Sequence, residues 1–233
     1  MKEDQVSGQR YIVIDFIRGC AVLLMVFFHL AFDLNGFHIV VIDFLNHPFW
    51  YCLPRFIVSL FLICVGMGLA LVHKNSIRWH VIGRRFFRIG GWASVITVVT
   101  YMVFPERFVF FGILHCIAVA SVVGVFFVDK PRLSFFVFLL FVVSNLIFRP
   151  TLVPVSKWLG VDSMDYIPFY PWFGLVLLGV YLESINLHKI PLKKLFPIGL
   201  FEIMGKHSLK IYLIHRPVIF GLVFSLYKLK AFH

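Results

Sequence analysis

Apolar runs of membrane-crossing length alternate with short polar connectors along nearly the whole chain. The runs are continuous, which predicts α-helices and argues against the alternating short strands of a closed β-barrel. Seven spans are expected, at about 13–33, 52–72, 87–104, 109–128, 133–149, 168–184 and 207–227. The expected fold class is all-α, a polytopic helical bundle in a membrane. No internal repeat, low-complexity tract or linker divides it, so 1–233 reads as a single transmembrane domain. Within it, 1–11 is a polar tail. The opening MKEDQVSGQR carries acidic residues and lacks the layout of a cleavable signal, which predicts a retained cytoplasmic tail.

Composition agrees: 61% of residues are hydrophobic and the mean hydropathy is +0.93, well beyond an ordinary soluble domain. The net charge of +11 changes meaning once it is mapped. The connector KNSIRWHVIGRRFFR joins the second and third spans, DKPR the fourth and fifth, and HKIPLKK lies between the sixth and seventh. All three fall on the side of the N-terminus, and with the tail and adjoining helix ends they hold most of the 22 Lys and Arg. Basic connectors stay cytoplasmic, which predicts an inside N-terminus and an outside C-terminus. The two lysines of YKLKAFH run against this orientation. A basic face shared by membrane connectors calls for no nucleic-acid partner. Cys20, Cys52, Cys64 and Cys116 are scattered without metal spacing and read as packing residues, so no metal is expected.

Ionisable residues inside the spans are where chemistry is expected, because hydrocarbon penalises idle charge. MVFFHLAFDLNGFH carries His29 and Asp33, four residues apart on one helical face, so the carboxylate could orient the imidazole. Arg18 is eleven positions before His29, about 16 Å lower and nearly in register. His29 with Asp33 suits a general base that deprotonates a hydroxyl or amine. The plainer alternative is a capped histidine with Asp33 already in headgroup water. RRFFR places Arg84, Arg85 and Arg88 at the inner end of the third span, where their forked donors suit phosphate oxygens as well as lipid headgroups. On the outer side, His115 opens the fourth span and His215, followed by Arg216 and Pro217, lies two turns into the seventh. Trp172, with Tyr166 and Tyr170, fits an interfacial aromatic belt or a surface for stacking on a sugar ring.

The phrases IDFIRGCAVLLMVFFHLAFDL, RFIVSLFLICVGMGLAL, FFGILHCIAVA, YIPFYPWFGLVLLGVYL and GKHSLKIYLIHRPV, in this order, resemble the catalytic domain of the heparan-alpha-glucosaminide N-acetyltransferase family. The resemblance runs from Ile14 to about Phe224. The Arg18–His29 spacing and RRFFR also resemble two motifs of the wider transmembrane acyltransferase superfamily. The family implies transfer of an acyl group, typically acetyl from cytoplasmic acetyl-CoA, to a sugar across the membrane. In the lysosomal enzyme of the family an asparagine aligns with His29 and the catalytic histidine falls in the following loop. That region here holds His38 and His47, which leaves His29, His38 and His47 open as the base.

The function expected is therefore that of an acetyl-CoA-dependent membrane acyltransferase, with catalytic His29 and Asp33. Arg18, Arg84, Arg85 and Arg88 would hold the CoA phosphates. His115, His215, His38 and Trp172 would line a pocket for a saccharide hydroxyl or amine. Direct attack and an acyl-histidine intermediate both fit. The expected setting is multi-pass in a bacterial cell membrane, with the lipid bilayer as surroundings and a homo-oligomer left open. A proton-coupled transporter or channel could use the same His and Asp as a relay, but no inverted repeat or pair of broken helices supports one. A non-catalytic membrane subunit would leave the buried ionisable groups unexplained.

Overall fold

A computed structural model describes residues 11–148, 163–190 and 199–231. The chain forms two compact units, one of Met1–Phe61 with His188–His233 and one of Leu62–Leu187. The helices are α1 (Ile12–Gly36), α2 (Pro48–His73), α3 (Trp79–Val103), α4 (Ile113–Gly124), α5 (Pro131–Phe148), α6 (Phe169–Ser184), α7 (Gly199–Lys206) and α8 (Ser208–Ala231). No strand occurs among the described residues. A helix stands at each of the seven expected positions. Five of them, α1, α2, α3, α5 and α8, are long and apolar enough to cross a membrane. The 12 residues of α4 continue into a 3 residue 3-10 turn, and α6 has 16 residues. At ~1.5 Å per residue both fall short of the ~30 Å hydrocarbon core.

In the first unit α1 and α8 lie side by side. Val22, Met25 and Asp33 are buried on one stripe of α1, with His29 half-buried between the last two. The facing stripe on α8 is His215, Ile219 and Val223, spaced four apart. Around Met25 pack Leu53 and Ile57 from the first part of α2, together with Tyr212 of α8. Gly36 closes α1, yet the residue that adopts the left-handed conformation is His38, at φ 56°. Ile39 N–H reaches the Leu34 carbonyl at 2.9 Å and His38 N–H the Asn35 carbonyl at 3.0 Å. This is a Schellman close, which satisfies carbonyls the helix end would otherwise leave open.

The short helix α7 was not expected from the hydrophobic pattern. It crosses α1 through two glycines: a methyl on Gly19 would run into the Phe201 carbonyl, and one on Gly205 into the Asp15 carbonyl. Side chains absent from both helices let the two backbones touch. The second unit repeats the device, since a methyl on Gly66 of α2 would meet the Val176 carbonyl and one on Gly179 of α6 the Ile63 carbonyl. Close backbone approach through small residues is how membrane helices gain packing contacts where no hydrophobic driving force exists between them.

Also in the second unit, α3 packs on α4, and α6 packs on both α4 and α5. The start of α4 is closed from the α5–α6 connection: the Asp165 carboxylate accepts from Ile113 N–H at the first turn. Burial nevertheless pushes the Asp165 carboxyl above the usual carboxylate range, the amide bond offsetting only part of that effect. At the other end of α3, Arg78 N–H donates to Nδ1 of His73 at 3.1 Å, tying the last turn of α2 to the start of α3.

Candidate active site

The first unit collects four ionisable side chains from its two long neighbours. His29 and Asp33 come from α1, His215 and Arg216 from α8. Nη1 of Arg216 donates to Oδ1 of Asp33 at 2.8 Å and faces Nδ1 of His29 at 3.5 Å. The rings of His29 and His215 are 4.9 Å apart, tilted by 47°. Nδ1 of His215 lies 2.6 Å from the Tyr212 carbonyl oxygen. Asp33 is 5% exposed and His215 6%, whereas the Arg216 side chain is 41% exposed. The guanidinium thus spans from the buried carboxylate toward a more open side. Oδ2 of Asp33 and Nε2 of His215 are both buried without a hydrogen-bond partner among the described residues.

Asp33 and His29 share a face, as their four-residue spacing requires, but the carboxylate does not hold the imidazole. Arg216 stands between them and bonds to both. The reason is charge: a fixed cation on α8 offers the buried carboxylate more than a neutral ring can. Sequence reading passed over Arg216 as a neighbour of Pro217. The signal was available, because Asp33 is an acid inside an apolar run and needs a cation from another span. Arg18 lies lower on the stripe of His29 and pairs with Asp15 at 3.5 Å. His38 is exposed, its backbone occupied in ending α1, and His47 is exposed just before α2.

The remaining candidates belong to the second unit. Arg84 and Arg88 are exposed one turn apart near the start of α3, and neither forms an ion pair among the described residues. Arg85, on the adjacent face, is half-buried. A cleft of about 370 Å³ is lined by Phe86, Phe87, Gly90, Gly91 and Ser94 of α3 and by Phe111, His115, Ala118 and Val119 from α4 and its approach, with none of the three arginines in its wall. His115 lines it but is engaged at both ring nitrogens. Gly112 N–H donates to Nδ1 at 3.3 Å, and Nε2 lies 3.3 Å from the Thr97 hydroxyl. These bonds fix the ring as a brace between α3 and α4. Trp172 sits half-buried in the first turns of α6, near Tyr170, whose hydroxyl meets the Ser144 hydroxyl at 2.7 Å.

A chain with two histidines, a carboxylate and a guanidinium gathered between its first and last long helices can move a proton within an apolar surround. Exposed arginines on another helix can meet an anion. Among known protein families, the one described as "Heparan-alpha-glucosaminide N-acetyltransferase, catalytic" matches residues 10–217. Neither the curated proteins nor the solved structures yield a significant match.

Proposed function

Because the chain belongs to the heparan-alpha-glucosaminide N-acetyltransferase catalytic family, a family of membrane acetyltransferases, we propose that it moves an acetyl group from acetyl-CoA to a saccharide hydroxyl or amine on the other side of the bilayer. The observation that carries this reading is the His29–His215 pair, half-buried and buried, with one ring nitrogen unengaged. Acyl transfer from a thioester to a hydroxyl needs a group that takes the acceptor's proton as the new bond forms. A buried imidazole with a bare lone pair supplies one.

In this reading the donor enters from the side of the N-terminus, which is cytoplasmic. Arg84, Arg85 and Arg88 suit the CoA phosphates. Two of them are exposed without a competing carboxylate, and the guanidinium fork fits phosphate oxygens in bidentate fashion. Arg18 is a further donor-side cation, although it is shared with Asp15. The acceptor approaches from the side of His38. The protein is expected in a bacterial cell membrane, as a multi-pass enzyme.

The test uses purified protein in liposomes, with acetyl-CoA enclosed on the Arg84 side and a saccharide acceptor supplied on the His38 side. Acetylated saccharide should appear in the acceptor compartment. Product formed only when both substrates share the Arg84 side would sink the cross-membrane mechanism. Proton flux driven by solute, with no acetylated product, would favour the relay of a transporter.

A further inference from the structure

Two imidazoles lie side by side on α1 and α8, and their hydrogen bonds decide which nitrogen of each can take up a proton. The Tyr212 carbonyl only accepts, so its 2.6 Å contact requires the proton of His215 to be on Nδ1. The neutral ring then carries its lone pair on Nε2. That atom is buried and has no partner among the described residues. At His29 the polarity is reversed. A guanidinium only donates, so Nδ1 of His29 is the acceptor in its 3.5 Å contact with Arg216, and the ring proton sits on Nε2. That contact occupies the lone pair of His29, and Asp33 anchors the guanidinium there at 2.8 Å.

From this geometry we propose that His215 is the general base of the transfer and that His29, held by Arg216, is a hydrogen-bond donor beside it. The assignment rests on the acyltransferase reading above. In the step it describes, Nε2 of His215 takes the proton of the acceptor hydroxyl or amine. The freed lone pair of that oxygen or nitrogen forms a bond to the thioester carbonyl carbon. The carbonyl electrons move onto oxygen, where the Nε2–H of His29 is a suitable donor. Collapse of this intermediate breaks the carbon–sulfur bond. The departing CoA thiolate takes the proton back from His215, which returns both the ring and the thiol to their neutral forms.

The charged and titratable groups facing His215 are His29 and Asp33 on α1 and Tyr212 and Arg216 on its own helix. From α2 the packed side chains are the apolar Leu53 and Ile57. On α7, Glu202 and Lys206 pair with each other on the helix that crosses α1 at Gly19. Two variants identify which imidazole carries the acid limb of the activity profile. His215→Asn keeps a side-chain N–H for the Tyr212 carbonyl but removes the base. His29→Gln keeps an N–H at the position of Nε2.

In the liposome assay His215→Asn should lower transfer by about 10²–10⁴-fold and abolish the acid limb of kcat/KM, with acetyl-CoA affinity unchanged. His29→Gln should lose less and keep the acid limb. An acid limb that survives in His215→Asn and disappears in His29→Gln would overturn the assignment, as would survival in both. Histidine NMR of isotope-labelled wild-type protein gives a readout that needs neither variant to fold. The expected pattern is an Nδ1–H ring at His215 and an Nε2–H ring at His29, and the opposite pattern overturns the proposal. Wild-type protein that binds acetyl-CoA but acetylates no saccharide would sink the acyltransferase reading, and the role of His215 as its base with it, while leaving those tautomers in place.

Discussion

Replacing Arg216 by Gln would isolate the most buried carboxylate of the α1–α8 pair. The Asp33 side chain is 6% exposed and its Oδ2 has no partner, so losing Nη1 leaves neither oxygen paired. Breaking a buried ion pair by removing one member costs about 3–5 kcal/mol. Here the other member is 41% exposed, so water softens the loss and about 2–3 kcal/mol is expected for Arg216→Gln. Asp33→Asn should cost less, about 1 kcal/mol, because the remaining guanidinium can turn toward its open side while the amide oxygen still accepts a bond. With both substitutions the site is neutral, and the loss should fall below the sum of the two by about 1–2 kcal/mol. Unfolding of all four proteins in mixed micelles, followed by far-ultraviolet circular dichroism, measures this coupling. Losses that add to within ~0.5 kcal/mol would show that the two residues act independently, which would refute the pairing argument.

Three further outcomes test other parts of the structure. Gly205→Ala should destabilise by about 1–3 kcal/mol, because its methyl meets the Asp15 carbonyl. Gly90→Ala, with nothing within 4 Å, should be neutral or stabilising by up to ~1 kcal/mol; equal melting temperatures would refute the close crossing. Arg84→Ala or Arg88→Ala should weaken acetyl-CoA binding more than Arg78→Ala, whereas equal, salt-screened losses in calorimetry would point to headgroup anchoring. The carboxyl of Asp165 is held above its unfolded value by burial, so the folded state binds the extra proton and loses stability as pH rises from about 4. Asp165→Asn, which keeps an acceptor for Ile113 N–H, should match wild type at low pH and exceed it at pH 7. A difference in melting temperature that stays constant across that range would count against it.

The helix positions were legible because a span must be continuously apolar, and that pattern needs no tertiary information. Helix α7 was not legible. It is short, and its place depends on Gly19 and Gly205 meeting backbone from another helix, a relation no local window contains. Of the candidate chemistry, the placing of His29 and Asp33 on one face of a single helix followed from spacing alone. Their relation to each other did not, because Arg216 arrives from 183 residues away and takes the carboxylate. His115 illustrates the opposite case. An isolated histidine in an apolar run reads as chemistry, yet Gly112 and Thr97 occupy both its nitrogens. Sequence lists the histidines, but only hydrogen-bond geometry sorts a braced ring from one with a lone pair to spare.

The ion pair between the first and last long helices also bears on how the chain is made. Asp33 leaves the ribosome 183 residues before Arg216, which at ~5–20 residues per second is a wait of roughly 10–40 s. Throughout that interval the first helix holds an acid whose cation has not been synthesised. Hydrocarbon tolerates an unpaired acid poorly, so until α8 is made this end of α1 is better accommodated where water reaches Asp33. Synthesis of α8 supplies the guanidinium that pairs with the acid at 2.8 Å. A chain cut short before Arg216 keeps the acid of its first long helix without the guanidinium that pairs with it.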